Sequence, residues 1–183
     1  MHSGVETWHQ VVFRSPEGRE EALWAQREGE TGYRVLSVPV WVYGISRGSL
    51  VSADPDEEGR LRFEKLLAAA PGGTVRIVVP PGVKASEVYL GQIVPTARLR
   101  GLRIGPATFY NPRLVSVHLH ERLDWWPTVG EFLDELVKAG SIQAWEVGDP
   151  DEYPDTPASI TDPEVRILTH QLPRDGEEGT YTN

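Results

Sequence analysis

The sequence predicts an α+β protein: a small N-terminal antiparallel β-sheet or barrel, then a ferredoxin-like βαββαβ domain, then an acidic, proline-rich C-terminal tail. Short alternating strand patterns broken by Gly and Pro turns fill the first part. Strand and helix patterns alternate in the second part, and the last part is too polar to bury a core. The predicted boundaries are residues 8–70, 74–148 and 149–183.

The first domain is predicted to contain five strands, each ended by turn residues. The Gly-containing turn at 29–32 indicates a hairpin between the second and third strands. The last strand ends in an alanine-rich stretch with helical potential. In chain order the five segments are 8–15, 21–29, 33–44, 48–55 and 61–70.

The second domain is predicted from four strands and two helices. Its first helix extends from residue 83 until Pro95, which should end or kink it. Its second helix should begin at a capping box formed by Thr128 and Glu131 and close at Gly140. The strands are expected at 74–79, 102–110, 113–120 and 142–148, and this element order is that of a ferredoxin-like domain.

The composition excludes several classes of protein. The chain has no cysteine, so disulfides, thiolate metal sites and cysteine nucleophiles are ruled out. No apolar run approaches the roughly 18 residues that span a bilayer, and the N-terminus lacks the plan of a signal peptide. A cytoplasmic protein without a membrane segment is therefore expected, and no motif calls for a cofactor.

The net charge of −9 argues against nucleic-acid binding. Residues 149–183 hold nine acidic and two basic residues, a net charge of −7, which leaves only −2 for residues 1–148. No Asp or Glu lies between Val88 and His120, whereas four arginines do. That positive region could receive an anion or the acidic tail, or its members could be ordinary solvated side chains. These arginines are Arg98, Arg100, Arg103 and Arg113.

His118 and His120 lie on one face of a predicted strand, opposite the apolar Val117 and Leu119. Two imidazoles in this spacing can share a metal ion, with a third ligand from elsewhere in the chain. The simpler interpretation is a pair of polar residues on a sheet face that is open or packed against the other domain. The candidate third ligands are Glu121, His9 and His170.

Trp125 and Trp126 precede the predicted capping box, where large aromatic residues commonly pack the entry to a helix. The alternative is an exposed aromatic anchor of a protein interface. Tyr110 lies near the histidines in the predicted sheet and joins them as a candidate binding residue. No nucleophile elbow, phosphate loop or dinucleotide fingerprint is present, so the sequence offers no catalytic residues.

The first half of the chain resembles a bacterial family called domain of unknown function 4265, best over residues 11–80 and in outline over 11–150. The resemblance implies a small bacterial cytoplasmic protein that acts as a companion of another protein, for example as an immunity protein, and it assigns no catalytic residue. The chain departs from the pattern at Ser49, where members often have Asp, and at Pro95 within the helix. The matching residues are Leu23-Trp24-Ala25, Gly32-Tyr33, Pro39, Gly44, Gly48 and the segment 51–59.

Three hypotheses of function remain open. The first is a non-catalytic module that binds a protein partner, as an immunity-type inhibitor does, with help from its acidic tail. The second is a metal- or anion-binding enzyme or ligand-binding protein, with its site on the open sheet face around His118, His120, Arg100 and Arg103. The third is a tail that folds back onto the arginines of residues 98–113. An exposed sheet face would also permit a homodimer.

Overall fold

The computed structural model describes residues 7–14, 18–120 and 125–148, and for residues 125–128 the backbone alone. The described part is α+β and contains two antiparallel sheets. The predicted tail at 149–183 lies outside the described residues. None of the helices in the described part is both long and apolar enough to span a bilayer.

Five strands of the first part form a closed barrel in the order β1-β2-β3-β4-β5. Neighbouring strands pair antiparallel, and β1 closes the barrel by pairing parallel with β5 at Val11 and Val12. The closing pair is parallel because an up-and-down barrel with an odd number of strands cannot alternate all the way round. The strands are β1 (Trp8–Arg14), β2 (Glu20–Glu28), β3 (Gly32–Val35), β4 (Leu50–Pro55) and β5 (Leu61–Ala68).

The barrel interior is filled by alternate side chains of its strands. Phe13 of β1 stacks on Phe63 of β5 with ring centroids 4.6 Å apart. Leu23 and Ala25 of β2 point into the same core, so Trp24 between them faces outward. The alanine-rich end of β5 remains extended and is not helical, because Ala68 pairs with Leu50 of β4.

Strand β3 is much shorter than predicted, since it ends at Val35 and residues 36–49 form the β3–β4 loop. The apolar sequence of this loop resembles a strand, but Pro39 has no N–H to give to a ladder. The Glu21 carboxylate of β2 instead accepts hydrogen bonds from the backbone N–H groups of Val40, Trp41 and Val42, at 2.9, 2.8 and 2.8 Å. The loop is apolar because it is buried, not because it is a strand.

The second sheet has the strand order β7-β8-β6-β9, and each neighbouring pair is antiparallel. Its element order along the chain is strand, helical segment, two strands, helix, strand. The bounds are β6 (Gly73–Val78), α1 (Ala85–Val88), α2 (Val94–Leu99), β7 (Ile104–Asn111), β8 (Leu114–Leu119), α3 (Trp125–Lys138) and β9 (Ala144–Val147).

The first helix of the second sheet does not end at Pro95. A π-helical turn (Tyr89–Ile93) joins α1 to α2, and the helical segment continues past Pro95 to Leu99. Proline lacks the N–H of the regular helix, and its ring collides with the carbonyl one turn earlier. Pro95 lies in the first turn of α2, and the wider π turn directly before it accommodates that conflict.

Helix α3 begins at Trp125, three residues before the predicted start. Thr128 therefore lies inside the helix, and the predicted capping box with Glu131 is wrong. Trp125 and Trp126 belong to the first helical turn, and Pro127 is tolerated there because first-turn N–H groups have no partner within the helix. The predicted stop is correct, since Gly140 follows α3 with a φ of 70°.

The two faces of the second sheet are covered by different parts of the chain. Val75, Ile77, Val115 and Val117 form the core with residues of the helices, including Phe132 of α3. On the other face Val78, Leu114 and Ala144 pack against Val40 and Trp41 of the β3–β4 loop. The barrel domain thus supplies the second cover of this sheet.

Candidate functional site

The two histidines singled out from the sequence lie at the end of β8, where the β3–β4 loop meets the sheet. Their ring centroids are 5.0 Å apart, and the planes are inclined by 77°. His118 is 6% exposed, whereas His120 is exposed to solvent. The pair therefore joins a buried imidazole to an accessible one.

Two glycines lie against the His118 ring. A Cβ placed on Gly105 would lie 2.8 Å from His118 Cδ2 and 3.1 Å from His120 Nε2. A Cβ on Gly72 would lie 2.9 Å from His118 Cε1 and 2.1 Å from the Leu119 carbonyl oxygen. Any larger residue at either position would displace the ring or the backbone, so both glycines define the space that His118 occupies.

Burial lowers the pKa of His118 to about 4, and the charges of His120 and Arg47 act in the same direction. A hydrogen bond with the backbone of Gly73 opposes them. The Nδ1 atom of His118 is buried and finds no hydrogen-bond partner in the described part of the chain. His118 is accordingly neutral at pH 7.

The polar neighbours of His118 come from both domains. Thr74 of β6 is its cross-strand partner, and the Thr74 hydroxyl donates to the Ser46 hydroxyl of the loop at 3.0 Å. Arg47 follows Ser46 in the chain and donates from Nη1 to the Leu36 carbonyl at 2.7 Å. The loop thus brings a guanidinium to the histidine end of the sheet.

The arginines predicted to lie beside the histidines occupy other parts of the second sheet and its helices. Arg100 is on the helical side of the sheet, where Nη2 donates to Glu135 at 2.6 Å and the guanidinium lies 5.2 Å from the Phe132 ring centroid. Arg98 is exposed on α2, and Arg103 is exposed in the connection to β7. The structure therefore does not gather Arg98 or Arg100 with the histidines, and Arg47 is the loop arginine that the sequence analysis missed.

The remaining candidate residues are aromatic. Tyr110 is 52% exposed at the end of β7, with its ring edge-to-face to Trp41 at 5.1 Å. It therefore lies at the loop side of the sheet, at the Asn111 end of β7. The backbone of Trp125 and Trp126 is helical, and their side chains lie outside the described part.

A buried arginine, Arg76 of β6, connects the two domains and was also missed. It is 0% exposed and donates to the carbonyl oxygens of Val40 and Val42 at 2.6 and 2.5 Å. Its guanidinium lies 4.1 Å from the Tyr43 ring centroid and 3.8 Å from Glu146 of β9, which also accepts a hydrogen bond from the Tyr43 hydroxyl. A lone charged residue inside the apolar run of β6 was the available sequence signal.

The outer face of β1 and β2 carries two exposed tryptophans. Trp8 is 61% exposed and Trp24 is 47% exposed. Trp8 pairs with Gln26 and Trp24 pairs with Gln10, so the four side chains lie on one face as diagonal neighbours. Strand alternation places Trp8 and Trp24 opposite the core residues of their strands, so this face could have been predicted from the sequence.

One cavity within the described part of the chain is too small for a substrate. A small apolar cavity of about 20 Å³ lies between the second sheet and its helices, among residues such as Val75, Ile77 and Phe132. That volume is comparable to a single water molecule, too little for a substrate. In the same part of the chain, no group of three or more His, Asp or Glu side chains could hold a metal ion.

The fold and these sites define an α+β protein in which a five-stranded barrel covers one face of a four-stranded, helix-backed sheet. The chain belongs to the family described as domain of unknown function (DUF4265), whose model matches residues 21–144. No curated protein matches the chain significantly.

A solved structure from Neisseria gonorrhoeae, described as a hypothetical protein, is similar to this chain with a TM-score of 0.59 and 14% sequence identity. The match covers 81% of this chain and 97% of the Neisseria chain. At this identity the similarity concerns the fold alone.

Proposed function

We propose that this protein is a non-catalytic module that binds a partner protein through the outer face of β1 and β2, defined by Trp8, Gln10, Trp24 and Gln26. The observation that carries the proposal is the pair of tryptophans, 61% and 47% exposed, side by side on a regular sheet. Tryptophan is strongly enriched among the residues that dominate the energy of protein interfaces. A soluble chain that leaves two of them exposed on one rigid surface has a ready binding anchor.

The face also has the polar composition of an interface. Gln10 and Gln26 alternate with the tryptophans and can exchange hydrogen bonds with a partner backbone. The strands beneath are fixed by the barrel core of Val11, Phe13 and Leu23. A partner would therefore meet a surface that is already ordered, which lowers the entropic cost of binding.

Neutralisation of the bound partner, as an immunity-type inhibitor achieves, is the biological outcome that we propose for this binding. The absence of a catalytic motif in the sequence agrees with a protein that acts by occupying another protein's surface. An inhibitor of this kind should abolish the partner's activity at equimolar concentration. A partner that stays fully active when bound would leave a binding module without inhibition.

The test begins with three forms of the full chain, each used as bait in an extract of the source organism. They are the wild type, the double variant Trp8→Ser/Trp24→Ser and the control Leu99→Ser. Leu99 is 88% exposed and lies on α2, away from the barrel. A specific partner should be retained by wild type and control and lost by the double variant. A bait lacking residues 149–183 tests the contribution of the acidic tail separately.

The partner is then purified, and its dissociation constant for each variant is measured by calorimetry. Two interface tryptophans at about 2 kcal/mol each predict at least a hundredfold weakening for the double variant. Leu99→Ser should bind as wild type does. Equal affinities of the double variant and the control would exclude this face as the binding surface.

We also infer that residues 74–148 form a ferredoxin-like domain. The support is the element order of two strand–helix–strand units and the strand order β7-β8-β6-β9 with antiparallel neighbours. An experimental structure of the full chain tests the assignment. A parallel pair among these four strands would contradict it.

A further inference from the structure

Basic side chains of the β3–β4 loop and of β8 lie at the same end of the second sheet. They are Arg47 from the loop and His118 and His120 from the strand, at the junction of the two domains. The hydrogen bond between Thr74 and Ser46 fixes the loop beside His118, because Thr74 is the cross-strand partner of His118. Arg47 follows Ser46 directly, so the loop and the strand present their basic groups at the same end of the sheet.

The electrostatics of this junction favour a negative ligand. Both Arg47 and His120 act on His118 as positive charges. No Asp or Glu occurs in the sequence from Tyr89 to His120, and Glu121 lies outside the described residues. A metal ion is disfavoured at the same place, because Arg47 would repel a cation and the described residues offer it only two imidazoles.

The junction also has incompletely used hydrogen-bonding capacity. His118 is 94% buried, and its Nδ1 has no hydrogen-bond partner among the residues that the structure describes. His120 is exposed, so its ring nitrogens are accessible from solvent. Gly72 and Gly105 lie against the His118 ring and leave no room for a larger side chain there.

We propose that Arg47, His118 and His120 form a binding site for a phosphate-class oxyanion at the domain junction. A planar guanidinium matches the geometry of two phosphate oxygens, and an imidazole N–H donates to a third. Because the site combines the loop of one domain with a strand of the other, an occupied site would hold the two domains together.

The proposal has a definite pH dependence. A bound dianion near His118 favours the protonated ring, against the burial and the charges of Arg47 and His120 that favour the neutral ring. Binding and protonation of His118 therefore strengthen each other. Sulfate stays a dianion from pH 8 to pH 5.5, whereas phosphate becomes a monoanion, so sulfate should bind more tightly at pH 5.5 than at pH 8. The histidine should in turn titrate at higher pH when phosphate is present.

The experiment is a titration of the full chain with inorganic phosphate, followed by NMR of the histidine ring nitrogens, against chloride at equal ionic strength. We expect phosphate to shift the resonances of His118 and His120 and to raise the apparent pKa of His118 by about one unit. Arg47→Gln should weaken phosphate binding about tenfold, and the exposed control Arg98→Gln should not.

Unfolding curves of each variant establish that the site residues are tested in a folded protein. If Arg47→Gln unfolds, the exposed His120→Gln provides the second variant and should weaken phosphate binding at pH 5.5. The proposal would be overturned if chloride shifted the histidine resonances as much as phosphate does, or if Arg47→Gln and Arg98→Gln bound phosphate equally well. Binding of zinc instead of phosphate by the ring nitrogens would also overturn it.

Discussion

A neutral histidine in a buried position makes folding depend on pH. The folded pKa of His118 is about 4, below the 6.5 of a free histidine, because burial disfavours the charged ring. The unfolded chain therefore takes up the proton first as pH falls. The contribution of neutral His118 to the free energy of unfolding should be fully present above about pH 6.5 and should decrease as the pH falls towards 4. Below pH 4 it should change no further, and the total loss should be up to about 3 kcal/mol.

Urea unfolding at several values between pH 7.5 and 4.5 measures this loss in phosphate-free buffer. His118→Gln should flatten the dependence, whereas the control His9→Gln should retain it. Asp56 does not interfere, since its folded pKa of about 2 places its own loss of stability below pH 3.8. An equally steep dependence in His118→Gln and wild type would contradict the role of His118.

At Gly148, the addition of a single Cβ atom should affect the stability of the protein. A Cβ there would lie 1.8 Å from Arg76 Nη1 and 2.7 Å from Arg76 Cζ, and Arg76 is completely buried. Gly148→Ala should therefore lower the free energy of unfolding by about 1–3 kcal/mol through overpacking. The control is Gly91→Ala, where a Cβ meets no other atom within 4 Å and helix propensity favours alanine. Chemical denaturation of both variants measures the change in the free energy of unfolding. An unchanged value for Gly148→Ala would show that Arg76 can move.

At the scale of the element, the β3–β4 loop is held from both domains. The Glu21 carboxylate accepts hydrogen bonds from three backbone N–H groups of the loop. Arg76 donates hydrogen bonds to the Val40 and Val42 carbonyls of the same segment. The backbone polar groups of a buried loop must be satisfied, and here two side chains replace the partners that a strand would have had. The loop is thus ordered without secondary structure.

Glu21→Ala should lower the free energy of unfolding by about 2–4 kcal/mol, because three partly buried N–H groups lose a charged acceptor. Hydrogen exchange of the Val40, Trp41 and Val42 amides should accelerate in the same variant. Glu87→Ala is the matched control, since Glu87 makes a single exposed ion pair with Lys84 and should change stability by less than about 0.5 kcal/mol. Unchanged exchange of the three amides would contradict the role of Glu21.

At the scale of the whole molecule, Arg76 couples the two domains. It joins β6 to the loop of the barrel and contacts Tyr43 and Glu146. Removing one partner of a buried charged cluster leaves the others without compensation, at a cost of roughly 3–5 kcal/mol. Arg76→Met should therefore destabilise the protein and separate one unfolding transition into two.

Differential scanning calorimetry measures both effects. The exposed Arg98→Met is the control and should unfold in one transition at the wild-type temperature. A single transition of Arg76→Met at an unchanged midpoint would show that the apolar contacts of Val40 with Val78 and Leu114 suffice to couple the domains.

Local pattern and turn chemistry were informative where an element depends on its own residues. Local strand patterns predicted β1, β2, β4, β6 and β8 closely, although β6 and β8 are buried on both faces. The same reasoning failed for the apolar loop at 36–49, since a buried loop and a strand share a composition. It also failed for the start of α3. Burial is a property of the fold, and one sequence does not state what covers a segment.

The sequence by itself determined the class of the protein: α+β, without cysteine, with an acidic end and a histidine pair on the polar side of a strand. Only the tertiary structure decided which groups meet. Glu21 and Arg76 lie far apart in the chain yet clamp the same loop, and Arg47 takes the place beside His118 that Arg100 was expected to fill. The physical reason is that strand periodicity assigns a side chain to a face, whereas its partners depend on contacts between residues distant in sequence.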